Sequence, residues 1–155
     1  MTQRNVTYAT FSLERILRVP PARVFAAFTD RQAKDRWFGP MENWELLERE
    51  FDVRPGGRER AMGRWASGKV SDFDARYFDV VPDARLVYAY EMHIDGVKIS
   101  VSLATVEIRP VGAGARLTIT EQGAFLDGYD DNGAREHGTN FLVDRLIATL
   151  ETEDA

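Results

Sequence analysis

The sequence predicts an α+β fold in which one long C-terminal helix is gripped by a curved antiparallel sheet of about six or seven strands. Three observations carry that expectation. Asp127 to Leu150 is the one stretch whose length and apolar spacing together describe a long amphipathic helix. From Trp44 to Gln122 the chain reads as successive strands broken by short turns. Between the first strand and that meander lie two short helical stretches. At about 100° per residue, Thr139, Leu142, Val143, Leu146, Ile147 and Leu150 share one helix face, with Ala134, His137, Asp144 and Arg145 opposite. Such a face needs a broad apolar surface, and the concave side of the sheet supplies it.

Residues 1–9 show no clear periodicity and read as a loose start. From Thr10, Phe11, Leu13, Arg15, Leu17 and Val19 alternate with Ser12, Glu14, Ile16 and Arg18, the pattern of a strand that Pro20 and Pro21 stop. Pro21 suits the first turn of a helix, where its missing N–H costs nothing, and Val24, Phe25 and Phe28 follow at helical spacing. Asp30 can cap a second short helix with Ala33 and Trp37 inward, ended by Gly39-Pro40. Glu45 to Val53 is the next strand, closed by Arg54-Pro55-Gly56-Gly57, whose proline and glycine match a type II turn. Strands follow over Arg58 to Trp65, Val70 to Val81 and Arg85 to Ile94. Asp95-Gly96 is a two-residue hairpin signal leading into Lys98 to Arg109, and Gly112-Ala113-Gly114 turns the chain into Arg116 to Gln122.

No repeat, low-complexity segment or linker divides the 155 residues, so a single domain with its core over about residues 10–150 is expected. The absence of cysteine removes thiol chemistry and disulfides and fits a reducing compartment, so a cytoplasmic setting is expected. A net charge of -5 with both signs interspersed excludes a basic nucleic-acid groove. Nor does any apolar run reach the roughly 18 residues of a membrane span, and no signal peptide is expected.

Chemical motifs are sparse. His93 and His137 have no second ligand at metal spacing and read as surface or rim residues; no metal site and no cofactor are expected. Gly56-Gly57 joins two strands and opens no helix, so it is not a phosphate loop. Asp127, Asp130 and Asp131 precede the long helix, where negative charge complements its dipole, while Asp72 and Asp74 alternate in a strand and face solvent.

The inward helix stripe is more informative. Toward the helix start Asn132, Arg135 and Glu136 fall near the line that later becomes Thr139, Val143, Leu146 and Leu150, so the inner face turns from polar to apolar. On one strand Leu86, Tyr88, Tyr90 and Met92 share a sheet face; on another Leu117, Ile119 and Glu121 do, which makes Glu121 a buried carboxylate in need of a partner. Trp37, Trp65, Phe73, Tyr77 and Phe125 are candidates for the same space. The set Trp37, Trp65, Tyr88, Tyr90, Glu121, Arg135, Thr139 and Val143 is therefore the expected ligand wall, polar groups above an apolar pocket.

Pro21 to Asp30 (PARVFAAFTD), Trp37 to Pro40 (WFGP), Phe51 to Gly57 (FDVRPGG), Val80 to Tyr88 (VVPDARLVY) and Val143 to Leu146 (VDRL) carry a family resemblance over roughly residues 10–150. The chain resembles the START-like (SRPBCC) helix-grip superfamily, and within it the branch similar to the C-terminal domain of the activator of Hsp90 ATPase. Relatives of that branch commonly carry a Gly-Trp pair where this chain has Gly138-Thr139, so a bulky aromatic is replaced by a small hydroxyl on the face toward the sheet. A larger cavity or a compensating side chain is then required, because interiors are close-packed. The leading functional expectation is a cofactor-free, non-enzymatic domain that holds a small apolar or aromatic molecule between helix and sheet. The resemblance also implies two alternatives: engagement of a chaperone or another protein, and cyclase- or aromatase-like catalysis, for which Glu121, Arg135 and Tyr88 are the candidates by their inward facing; a homodimer is a further expectation.

Overall fold

The computed structural model describes residues 4–153. Its elements are β1 (Val6–Leu17), α1 (Pro21–Thr29), α2 (Arg31–Asp35), β2 (Trp44–Phe51), β3 (Arg58–Trp65), β4 (Val70–Val81), β5 (Arg85–Ile94), β6 (Val97–Val111), β7 (Gly114–Leu126) and α3 (Ala134–Glu153). The strands form one seven-stranded sheet in the order β1-β7-β6-β5-β4-β3-β2. Every pairing is antiparallel, so β1 meets β7 across the chain while β2 to β7 run as a meander. The α+β architecture read from the sequence, a long C-terminal helix held by an antiparallel sheet, is the one observed.

Local chemistry explains the joints. Pro21 occupies the first turn of α1, and Asp30 caps α2 by accepting the Ala33 N–H at 3.0 Å. In the turn after β2 the Gly57 N–H reaches the Arg54 carbonyl at 2.7 Å, and Gly56 has φ of 83°, the left-handed geometry of a type II turn. The Asp95-Gly96 hairpin has positive φ at both positions, 50° and 80°, as a type I′ turn demands.

Several boundaries differ from the sequence expectation. β1 begins at Val6 and not at Thr10, because its backbone already pairs with β7 there (Val6 opposite Leu126), although Val6 and Tyr8 stay exposed and show no inward alternation. It ends at Leu17, two residues early. Residues 1–3 of the expected loose start lie outside the described residues. β2 is shifted to Trp44–Phe51, and β6 and β7 are longer than expected at both ends. Most important, α3 starts at Ala134 and not at Asp127. Asp127, Gly128, Asn132 and Gly133 all have positive φ (55°, 86°, 49° and 78°), a backbone that cannot continue a right-handed helix. Among the three acids of this loop, Asp131 serves the helix start: its Oδ1 accepts the Arg135 N–H at 2.9 Å. Asp127 pairs instead with Arg4 at 2.8 Å, and Asp130 accepts the Asn132 N–H.

Burial divides the interior in two. The larger cluster packs Val143, Leu146 and Leu150 of α3 against Leu13, Leu17, Leu86, Val106, Leu117 and Ile119 of the sheet, closed off by Val24 and Phe28 of α1. A smaller cluster, Ala61, Phe73, Ala75, Tyr90 and Ala104, lies on the β3–β6 part of the same face. Among the described residues no helix is long and apolar enough to cross a membrane.

Candidate functional site

The smaller cluster borders a cavity of about 480 Å³ between α3 and the sheet. Its origin is a size pattern along the inner face. Ala61 on β3 and Ser71 on β4 put only small side chains toward the cavity, and Gly138 and Thr139 do the same from α3, whereas the surrounding positions carry aromatic rings. At Gly63 the Trp44 indole covers the backbone: a Cβ there would come within 1.9 Å of the ring. All three tryptophans of the chain, Trp37, Trp44 and Trp65, border the space.

The eight residues singled out from the sequence, Trp37, Trp65, Tyr88, Tyr90, Glu121, Arg135, Thr139 and Val143, are all brought to this one cavity. Phe73 joins them, but Tyr77 and Phe125 do not line it. Tyr77 is 1% exposed within the core, and Phe125 stacks on Tyr129 at the loop before α3, with ring centroids 6.0 Å apart. Of the three polar residues expected on the helix stripe only Arg135 turns inward; Asn132 and Glu136 are exposed, because the helix begins too late to carry the first and rotates the second outward. Trp44, Phe38 and Tyr129 are wall residues that sequence reasoning missed. Trp44 opens a strand where no alternation can be read, and Phe38 and Tyr129 sit in loops.

A polar chain runs along one side. Arg135 donates through Nη1 to the Tyr90 hydroxyl at 2.9 Å and to Ser102 Oγ at 3.3 Å, and through Nη2 to Ser100 Oγ at 2.8 Å. Tyr90 in turn donates to Glu121 Oε1 at 2.5 Å, and Thr139 donates to Glu121 Oε2 at 3.4 Å. The guanidinium lies between the Tyr90 and Phe125 rings, 5.5 and 5.2 Å from their centroids. Thus Arg135 bolts the first turn of α3 to β5, β6 and β7. The trio expected for catalysis is rearranged: Arg135 and Glu121 meet through Tyr90 and not Tyr88. Burial raises the Glu121 carboxyl above its usual range, outweighing the Tyr90 hydrogen bond and the nearby Arg135 charge. Burial likewise pushes the Tyr88 and Tyr90 phenols up, helped by the charge of Glu121.

The sequence profile of the family described as Activator of Hsp90 ATPase homolog 1-like protein matches residues 18–151. This chain belongs to that family. Solved structures agree across nearly the whole chain. A protein from Rhizobium leguminosarum is 44% identical with a TM-score of 0.93, covering 97% of this chain and 99% of its own. One from Rhizobium loti is 42% identical with a TM-score of 0.87, covering 93% and 98%. A third, from Chromobacterium violaceum, is 30% identical with a TM-score of 0.74, covering 92% and 96%. No curated protein matches.

Beside the cavity wall formed by Lys34 and Phe38 the chain holds a second polar cluster that was not legible in advance. Helical spacing pointed to Ala33 as an inward residue of α2, but Ala33 is half-buried and Lys34 is the buried one, 2% exposed. Its Nζ donates to Glu59 Oε1 at 2.7 Å and Tyr77 donates to the same oxygen at 2.6 Å, while Arg49 Nη1 holds Glu59 Oε2 at 2.8 Å. Arg49 also reaches Asp35 at 3.2 Å. The ammonium lies 4.7 Å from the Phe38 ring centroid, so a cavity-wall aromatic is seated on this cluster. Burial would raise Glu59, but Lys34 and Arg49 together hold it below the usual carboxylate range; burial lowers Lys34 despite Glu59. A polar residue in helical register with solvent gives no signal of burial; a Lys in α2 and a Glu inward on β3 only acquire meaning as a pair.

His93 is half-buried and His137 exposed, and no cluster of metal-ligating side chains occurs among the described residues.

Proposed function

We propose that this domain binds a small, largely apolar or aromatic molecule in the cavity between α3 and the sheet. The observation that carries the reading is the cavity itself: about 480 Å³, inside the range of roughly 300–1,000 Å³ typical of small-molecule sites, with aromatic walls and one convergent polar group chain. The contrast within α3 supports it. From Leu146 onward the inward face is packed solid against the sheet, whereas Thr139 presents only a small side chain to the cavity.

Thr139→Trp tests this directly, since an indole at that position occupies the volume a ligand would take. Native mass spectrometry of the protein incubated with a library of aromatic and aliphatic compounds is expected to show one-to-one complexes. Those complexes should be lost in Thr139→Trp while its circular dichroism spectrum is unchanged. Retention of the same complexes by a folded Thr139→Trp protein would place binding elsewhere and refute the reading.

A further inference from the structure

We propose that the molecule held in the cavity carries a hydroxyl group, phenolic or alcoholic, that donates to Glu121 and accepts from Tyr88. This rests on the small-molecule reading and names the chemistry of its polar end.

Glu121 has acceptor capacity to spare. An ionised carboxylate offers about four lone-pair sites; Tyr90 takes one at 2.5 Å, and Thr139 takes another only weakly, at 3.4 Å. Arg135 does not use the rest, because its donors are directed to Tyr90, Ser100 and Ser102. The Tyr88 hydroxyl borders the same cavity and has no hydrogen-bond partner among the described residues. Tyr90, two residues along the same strand face, is already committed to Glu121.

Strand register brings these two groups to one place. Tyr88 on β5 pairs with Ala104 on β6, and Ala104 pairs with Glu121 on β7. The three lie in one row across the inner face, with Ala104 between the two polar residues. Two long polar side chains that both line the cavity therefore stand about two strand spacings apart, roughly 9–10 Å between their Cα atoms. One side supplies an acceptor and the other an O–H free to donate.

A hydroxyl satisfies both at once, donating its hydrogen to Glu121 and accepting from Tyr88. A ligand carboxylate has no hydrogen for Glu121 and sets like charge beside it. A ligand ammonium leaves the Tyr88 hydrogen unused and enters a wall already holding the Arg135 and Lys34 cations. The aromatic rings of Trp44, Trp65 and Phe73 then cover an apolar body.

The test is isothermal titration calorimetry at pH 7 with four probes sharing one ring system: naphthalene, 2-naphthol, 2-naphthoate and 2-(aminomethyl)naphthalene. The expected result is that 2-naphthol binds about tenfold or more tighter than naphthalene, as one net hydrogen bond to a charged acceptor gives. Glu121→Gln and Tyr88→Phe should each cut that preference several-fold while keeping naphthalene binding. Tyr88→Phe removes a single oxygen and guards against a Glu121→Gln variant that folds poorly. Equal binding of naphthalene and 2-naphthol, tighter binding of the naphthoate or the amine, or an unchanged preference in both variants would overturn the inference and leave the cavity reading standing. Binding of none of the four overturns the small-molecule reading and this inference with it.

Discussion

Replacing Lys34 by methionine removes one charge from a cluster that has almost no contact with water. Lys34 is 2% exposed and Glu59 0%, and the two meet at 2.7 Å. Removing one partner of such a buried pair costs about 3–5 kcal/mol, because the other charge is left desolvated. Here Glu59 keeps Arg49 at 2.8 Å and the Tyr77 hydroxyl at 2.6 Å, which sets the expected loss at the lower end, about 3 kcal/mol. For a chain of this size each kcal/mol moves the midpoint by roughly 2–4 °C, so Tm should fall by roughly 6–12 °C. Urea unfolding followed by circular dichroism gives the same quantity independently. The companion variant carrying both Lys34→Met and Glu59→Met separates charge imbalance from lost packing. With Glu59 gone, Arg49 retains Asp35 at 3.2 Å, so the double variant should be less destabilised than the sum of the singles, by about 1–3 kcal/mol. A Lys34→Met protein within about 0.5 kcal/mol of the parent, or strictly additive singles, would refute the view that these charges are mutually dependent.

The two buried carboxylates predict opposite pH responses. Glu59 is depressed below its ordinary value of 4.5, so its contribution is complete above pH 4.5 and is lost as pH falls through the lower folded value; Glu59→Gln should flatten the acid limb of Tm against pH. Glu121 is raised above 4.5, so its contribution is complete below pH 4.5 and declines as pH rises through the folded value. The stability of Glu121→Gln relative to the parent should accordingly increase from pH 4.5 upward, and a difference that is constant or shrinks would contradict the assignment. Leu146→Ala, at a position fully buried under the sheet, should cost about 3 kcal/mol in chemical unfolding, as expected for a leucine truncated in a close-packed core. Gly63→Ala forces a methyl into the Trp44 ring; destabilisation of roughly 1–3 kcal/mol with a shifted tryptophan emission spectrum is expected, and an unchanged spectrum would show that Trp44 does not lie over Gly63.

Much of the fold could be read from local patterns because each element obeys its own periodicity. β3, β4 and β5 have the boundaries read from alternation, and the turns at Arg54–Gly57 and Asp95-Gly96 follow from residues that tolerate left-handed backbone. Errors fell where pairing or backbone geometry overrules side-chain pattern. The outward-facing start of β1 is held by its ladder to β7, and the late start of α3 is set by four positive φ values that a helical wheel does not see. The inward positions of Tyr88, Tyr90 and Glu121 followed from strict alternation within single strands. That Glu121 bonds Tyr90, and that Tyr88 stays free, did not follow, since cross-strand diagonals depend on register between strands far apart in sequence.

By itself the sequence determined what short-range physics governs: which segments are strands and helices, which faces are apolar, and that Arg135 and Thr139 precede the apolar inward stripe of α3. Membership in the family was legible in the same local motifs. Only the tertiary structure decided how distant groups meet. It placed Lys34 beside Glu59, laid Trp44 over Gly63, and left about 480 Å³ open between α3 and the sheet, bordered by the small residues Ala61, Ser71, Gly138 and Thr139. The reason is that a charge is tolerated in an interior only with its partner, and a cavity exists only where small residues from several elements coincide. Neither condition is a property of any one stretch of chain.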